Sequence, residues 1–373
     1  MYGLAELELG EHPAVQARAR LGRVQVGQPG DDVGLGRNCP RVHLAGGRGA
    51  GPECGDGNGD VPKAVHADIV TRPEVPGCCR GSEATGPAYS FHMSDLSVTL
   101  RREIQTLAAG APGRLGIVVG GADGVIVDLD GGRVVPAAST IKVPILVSAL
   151  ERVVHGTSML QDPVPIGADR VGGSGALSLL PSVTELPLVE ALRLMIALSD
   201  NDATNAVIAL VGFEAVGRTC RRLGLAHTHL RRTLMNDAAR DAGLDNVTCA
   251  RDLAQVMASL RLGDALPPAE TRVALELLAE QQFVDGLPAL LPARVWHANK
   301  TGELSGVRHD MALVEHGGRW AAVAVTAVAL SDPDEGVDRG STVLSTFASI
   351  GAAVGNWVTG TDRTDAPPGP HRP

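Results

Sequence analysis

The sequence predicts an α/β fold of the α+β type: an antiparallel sheet built from N- and C-terminal segments, flanked by helices, with a helical subdomain inserted. Three observations carry this prediction. The apolar runs Arg114–Val119 and Val125–Asp130 flank a Gly-Gly-Ala-Asp-Gly turn at 120–124, the pattern of a β-hairpin. Segments with helical periodicity then recur between Ala138 and Gln281. Beyond them, the β-rich runs Val307–Glu315 and Arg319–Leu330, joined by His316-Gly317-Gly318, form a second hairpin.

The other elements follow from spacing. Leu96, Leu100, Ile104 and Leu107 share one face of a helix over Leu96–Leu107. Ala138–Val154 is a helix entered through Val-Val-Pro-Ala-Ala, and a looser stretch runs from it to about Leu186. Val189–Leu198, Asp202–Val211, Asp252–Leu260 and Glu270–Gln281 have helical patterns, and Ser341–Val358 is an amphipathic closing helix. The folded domain is therefore expected over residues 93–358. Residues 359–373, rich in Pro, Gly and Asp, read as a frayed tail. Residues 1–92 hold 17 of the 46 glycines and 8 of the 24 prolines, roughly 27% of the segment, with no sustained period. They read as an unstructured extension, and Met93 is the expected biological start. Cys39, Cys54 and the adjacent pair Cys78-Cys79 fit neither zinc ligation nor a redox CxxC.

Composition excludes several classes. At 373 residues and 44% hydrophobic, the chain has ample apolar content for a buried core. A net charge of −9 argues against a nucleic-acid scaffold, because phosphate binding relies on clustered cations. No apolar run reaches the roughly 18 residues of a bilayer span. No basic segment followed by an apolar stretch opens the sequence, so a cytoplasmic location is expected. Neither a metal nor a cofactor is expected: His155, His227, His229, His297, His309, His316 and His371 lack clustered ligand spacing. The acidic stretch Ser331–Asp338 misses the calcium-loop pattern and reads as a solvated turn. Gly172–Gly175 lacks a following Lys-Ser/Thr and reads as a flexible loop near the cleft rather than a phosphate cradle. Cys220 and Cys249 read as buried free thiols.

Three short motifs carry the chemistry. Ser139-Thr140-Ile141-Lys142 puts a hydroxyl and an ammonium three residues apart, on one helical face. A hydroxyl attacks well only when something takes its proton, which a desolvated lysine does. Ser199-Asp200-Asn201 presents a hydroxyl and an amide from the junction of two helices, where the same residue types also serve as helix caps. Lys300-Thr301-Gly302 opens a strand, and the missing side chain at Gly302 leaves the strand edge open to an extended substrate. Lys300 and Thr301 supply a cation and a hydroxyl for a carboxylate, and Arg308 a second anion contact. The chain has only three lysines, Lys63, Lys142 and Lys300, against 30 arginines, so two lysines in motif positions are not surface decoration. Chance co-occurrence of the three motifs in this order is on the order of one in 10⁵.

This set resembles the penicillin-recognising serine acyl-enzymes, most closely the class A β-lactamases. The resemblance covers roughly Met93–Val358 and extends to Pro-Ala-Ala-Ser-Thr-Ile-Lys-Val-Pro and Ser-Asp-Asn-Asp-Ala-Thr-Asn. It implies a β-lactamase/transpeptidase-like fold with the active site between sheet and helical subdomain. It implies Ser139 as the acylated serine, Lys142 as its proton acceptor and Ser199 as the proton relay. Asn201 then binds the substrate amide, Lys300 and Thr301 its carboxylate, and the backbone N–H groups of Ser139 and Glu303 the oxyanion. The related class C enzymes use a tyrosine where Ser199 stands, and no tyrosine follows Tyr89.

One departure matters. Class A enzymes carry a Glu-x-x-Leu-Asn whose glutamate activates the deacylating water, whereas the stretch Leu230–Asn246 has no glutamate. Arg232 and Asp245 are placed to pin such a loop as an ion pair, and Asp237 is the candidate acid within it, against the plainer reading of a loop cap. The expected function is a monomeric serine β-lactamase-like hydrolase acting on a small β-lactam or peptide-like acyl donor. The alternatives are a D,D-peptidase or esterase on the same scaffold, or a slowly turning over penicillin-binding sensor.

Overall fold

The computed structural model describes residues 89–332, 337–338 and 340–360. The proposed extension up to residue 88, with its four cysteines, and the tail from 361 lie outside these residues, as do residues 333–336 of the acidic stretch Ser331–Asp338. Helix α1 (Tyr89–Ala109) precedes the hairpin β1 (Arg114–Gly121) and β2 (Gly124–Leu129). Strand β3 (Val135–Pro136) leads through a 3₁₀ turn (Ala138–Ile141) into α2 (Lys142–Val154). The short pair β4 (Pro163–Pro165) and β5 (Glu185–Pro187) precedes α3 (Leu188–Ala197), α4 (Asn201–Val211) and α5 (Phe213–Arg222). Then come α6 (Asp237–Asp241), β6 (Val247–Thr248), α7 (Ala250–Leu262) and α8 (Pro268–Ala279). Strands β7 (Trp296–Leu304), β8 (Val307–His316) and β9 (Arg319–Val328) follow. The pair β10 (Ser331–Asp332) and β11 (Val337–Asp338) and helix α9 (Gly340–Thr359) close the described chain.

Five strands form one antiparallel sheet in the order β2-β1-β9-β8-β7, so the two ends of the domain meet at the β1–β9 ladder. Strand alternation divides the apolar residues between two cores. Along β9, Ala321, Val323, Val325 and Ala327 face a core shared with α1 and α9, while Trp320, Ala322 and Ala324 face one shared with the helical block. Burial on both faces explains why β8 and β9 read as nearly continuous apolar runs. Strand β7 is an edge of the sheet, and it is the edge turned to the helical block.

The predicted antiparallel sheet with a helical insertion is present, and the helices of the block fall within two or three residues of their expected bounds. Some details differ. The helix expected from Ala138 begins instead as the 3₁₀ turn, with Ala138 at φ 47°. Helix α9 ends at Thr359 and not in a tail beginning there, and α1 starts at Tyr89, upstream of Met93. Helix α5 was not expected: Val216, Thr219 and Cys220 are its buried residues, too narrow an apolar stripe to announce a helix.

Helix α9 lies close against the 3₁₀ turn Leu287–Leu290. A Cβ added at Gly351 would fall inside the van der Waals envelope of the Leu287 carbonyl, which is backbone and has nowhere to rotate. Gly351→Ala is therefore expected to lower the unfolding free energy by about 1–3 kcal/mol through overpacking, read as a shifted urea midpoint. An unchanged midpoint would show that α9 does not need this close approach.

Candidate active site

The nucleophile candidate is presented by strained backbone. Ala138, a non-glycine residue in the left-handed region, turns the chain from β3 into the 3₁₀ turn that carries Ser139. Ser139 is half-buried, and Lys142, at the start of α2, is 0% exposed. The Lys142 Nζ lies 3.1 Å from Ser139 Oγ, 3.0 Å from Ser199 Oγ, 2.6 Å from the Ser199 carbonyl oxygen and 3.0 Å from Asn201 Oδ1. Burial pushes its pKa well below the ordinary lysine value; the Lys300 charge pushes the same way and Asp200 opposes. A neutral amine here donates to the Ser199 carbonyl and Asn201 and keeps a lone pair for the Ser139 proton.

The Ser199-Asp200-Asn201 tripeptide serves both of its possible uses at once. Asp200 is the N-cap of α4, accepting from the Ala203 N–H at 2.9 Å. Its other oxygen accepts from the N–H groups of Ala176 at 2.7 Å and Leu177 at 2.8 Å. Ser199, at φ 54°, and Asn201 are thereby turned to Lys142. The same anchor fixes the glycine loop: Asn201 donates to the Gly172 carbonyl at 2.9 Å, and a Cβ at Gly175 would collide with Asp200. Gly173 and Ser174 consequently form one wall of the cleft, a fixed wall where a flexible loop was expected.

Strand β7 supplies the opposite wall. Lys300, 0% exposed, places Nζ 3.1 Å from Ser199 Oγ and 2.8 Å from the Thr301 carbonyl. Burial lowers its pKa to about 7, with Asp310 opposing. A Cβ at Gly302 would lie 3.1 Å from Ala138 Cβ and 3.2 Å from the Ser139 nitrogen. The glycine thus lets β7 close on the nucleophile turn, bringing the Ser139 and Glu303 backbone segments together.

Between these walls is a cleft of about 370 Å³ whose lining includes Ser139, Ser199, Thr301, Gly302, Glu303 and Arg308. Glu303 and Arg308, cross-strand partners on β7 and β8, form an ion pair at its rim. Arg232 and Asp245 pair at 2.8 Å, pinning the 230–246 loop. Asp237 is not among the described residues lining the cleft: it begins α6, is exposed and pairs with Arg240 at 2.9 Å. The loop is held to the site at a different residue. Asn205, one turn after Asn201, accepts from the Leu234 N–H at 2.8 Å and donates to its carbonyl at 3.2 Å. Met235, at φ 60°, brings its thioether toward Gly173.

Among the cleft residues that escaped sequence reasoning are His309 and Asp310. Buried His309 bridges the Pro136 carbonyl, 2.8 Å from Nε2, to the β8–β9 ladder, and burial lowers its pKa. Asp310 accepts from the Leu287 N–H and the Asn299 amide. An aspartate immediately before the apolar stretch Met311–Val314 was the available signal. Among the described residues, no group of three or more His, Cys, Asp or Glu is arranged to hold a metal ion.

A family model described as the β-lactamase enzyme family matches residues 99–358. The chain belongs to the β-lactamase enzyme family. Its fold is correspondingly similar to the β-lactamase of Sphaerobacter thermophilus, with a TM-score of 0.62 and 27% identity over 69% of this chain and 97% of that one. It is similar to an ancestral class A β-lactamase, with TM-score 0.61 and 26% identity over 68% and 98% of the two chains. It is similar as well to PBP-A, in a structure of a mutant described as an acyl-enzyme complex with penicillin G, with TM-score 0.59 and 27% identity over 69% and 96%. All three motifs, from Ser139 to Gly302, fall inside the residues that the β-lactamase family model matches.

The buried ammonium of Lys300 bears on stability. Its pKa is about 7 in the fold against about 10.4 in an unfolded chain. The unfolded chain therefore binds more protons between these values, and the cost of burying the lysine is full below pH 7 and fades as pH rises toward 10.4. Lys300→Met is expected to raise the melting temperature most below pH 7, with the advantage shrinking at alkaline pH. An advantage independent of pH would rule out this origin.

Proposed function

We propose that this protein is a serine hydrolase that opens β-lactam amides through an acyl-enzyme on Ser139. The observation that carries the proposal is Lys142 Nζ, buried and within 3.1 Å of both the Ser139 and Ser199 hydroxyls. Ser139 Oγ attacks the carbonyl carbon as its proton passes to neutral Lys142, and the oxyanion meets the N–H groups of Ser139 and Glu303. The C–N bond then breaks, Ser199 gives its proton to the departing nitrogen, and the proton held on Lys142 replaces it through their 3.0 Å contact. Asn201 orients the acyl side of the substrate, while Lys300, Thr301 and Arg308 hold its carboxylate.

A second reading is favoured by the 230–246 loop. There Asn205 clamps Leu234, an apolar residue, next to the site, and the candidate acid Asp237 is engaged with Arg240 at the surface. With no carboxylate from this loop to activate water, the acyl-enzyme persists, and the protein behaves as a penicillin-binding D,D-peptidase or esterase that β-lactams trap.

Incubating the full chain with a chromogenic cephalosporin, while following colour and intact mass, separates these readings. A mass increase on Ser139 that is absent from Ser139→Ala is expected in both. Rapid multiple turnover supports the lactamase, and a single burst with a persistent adduct supports the second reading. Neither colour nor adduct would remove the acyl-enzyme proposal. Leu234→Glu is expected to raise steady-state turnover at least about tenfold with the acylation rate unchanged, the gain expected of a general base. Asp237→Asn should leave turnover within about twofold, as for a surface substitution; a larger drop would restore Asp237 as the deacylating base.

A further inference from the structure

One buried side chain of the cleft has no part in the chemistry described above. His309 stands in β8, directly across from Gly302 in β7 and from Thr326 in β9. Thr326 in turn faces Gly116 in β1, so the four residues form a row across the sheet, on one face of it. That face is the one turned to the helical block: a Cβ added at Gly116 would come within 3.7 Å of Ala250 Cβ, at the start of α7. At the other end of the row, a Cβ at Gly302 would meet Ala138 Cβ at 3.1 Å and the Ser139 nitrogen at 3.2 Å.

The nucleophile segment crosses this row, with Pro136 at His309 and Ser139 at Gly302. Both ring nitrogens of His309 are held by backbone. Its Nε2 lies 2.8 Å from the Pro136 carbonyl oxygen, and its Nδ1 lies 2.6 Å from the Arg308 carbonyl oxygen and 3.3 Å from the Ala327 nitrogen. A carbonyl oxygen can only accept, so Nε2 carries the hydrogen of the Pro136 contact. Beyond Pro136 the turn is braced from within, Thr140 Oγ1 donating to the Ala137 carbonyl at 2.6 Å. From the side of the 230–246 loop it is held by the Ala137 N–H, which donates to the Asn246 carbonyl at 2.8 Å, and by the pairing of β3 with β6. His309 supplies a hydrogen bond to the same segment from the sheet that carries Glu303. A turn that is stiff inside and tied on two sides takes its place from those ties.

We propose that His309 is a positioning residue: by holding the Pro136 carbonyl, its Nε2–H sets the Ala138–Ser139 turn against Gly302, and so the spacing of the Ser139 and Glu303 N–H groups that receive the oxyanion. An imidazole suits this place because its far nitrogen reaches across the row and, unlike lysine or arginine, brings no obligatory charge into a buried site. The oxyanion consequence rests on the function proposed above; the placement of the turn does not.

The test uses the full chain. In His309→Asn the amide ends one bond short of the Nε2 position. With a chromogenic cephalosporin this variant is expected to acylate at least about tenfold more slowly at saturation, the scale of loss for a displaced nucleophile or oxyanion donor. Its KM should stay within about twofold, because no substrate contact is removed. His309→Gln, whose amide nitrogen extends to the Nε2 position, should recover most of the lost rate. A role in stability alone would lower the melting temperature of His309→Asn and leave its acylation rate unchanged, which overturns the proposal; so does a His309→Gln no faster than His309→Asn, or a loss confined to KM. Should His309→Asn fail to fold, the ring is read in ¹⁵N-histidine-labelled wild type, where Nε2 of His309 is expected to carry a hydrogen and a bare Nε2 overturns the proposal. If the wild type never acylates at Ser139, the functional reading falls. The backbone amide resonances of Ser139, Gly302 and Glu303 then decide this one: they are expected to move in His309→Asn and to return in His309→Gln, and unmoved resonances overturn it.

Discussion

Lys142 and Lys300 lie out of contact with water, and moving an ammonium group to such a place costs several kcal/mol per charge unless partners replace the lost solvent. The partners here are mostly neutral: hydroxyls, carbonyls and one amide. That choice leaves the amines short of full compensation, and burial holds the pKa of each below the ordinary lysine value. A carboxylate in direct contact with Lys142 would have stabilised the fold and fixed the lysine in its charged form, useless for accepting a proton. On the proposed function, the site gives up stability for a base, as functional sites commonly do.

Geometry that tight needs rigid supports. Backbone of unfavourable conformation at Ala138 and Ser199 sets the two hydroxyls on either side of Lys142, and such conformations persist only where surrounding contacts over-determine them. Asp200 supplies much of that support, its three backbone hydrogen bonds joining α4 to the glycine loop. On the other side, Gly302 allows the sheet edge to press against the nucleophile turn. Sheet and helical block each contribute one lysine to a single hydroxyl, that of Ser199, so the cleft exists only where the two packing layers meet.

Much of this was legible in the sequence because the signals were local. Ser139 and Lys142 share one turn of chain, the hairpins are marked by glycine pairs, and lysine is conspicuous in a chain that otherwise uses arginine. Asp310 and His309 were not legible, because their place in the cleft depends on the β7–β8 and β8–β9 registers rather than on neighbours in sequence. The 230–246 loop was read for its acids, which drew attention to Asp237; which of its residues faces the site is decided by Asn205, a contact spanning 29 positions. Helix α5 was missed for want of a broad apolar stripe, although its pattern is complete once Val216 and Cys220 are seen packed against the helical core.

Gly351 gives the last helix a reach that its position in the chain does not suggest. Because α9 rests on the Leu287 peptide, and the Leu287 N–H holds Asp310, a mechanical line runs from the carboxyl-terminal helix to an acid inside the cleft. Anything that shifts that helix, such as an appended fusion partner or an immobilising surface, bears on the Leu287 peptide and through it on a carboxyl group that lines the cleft.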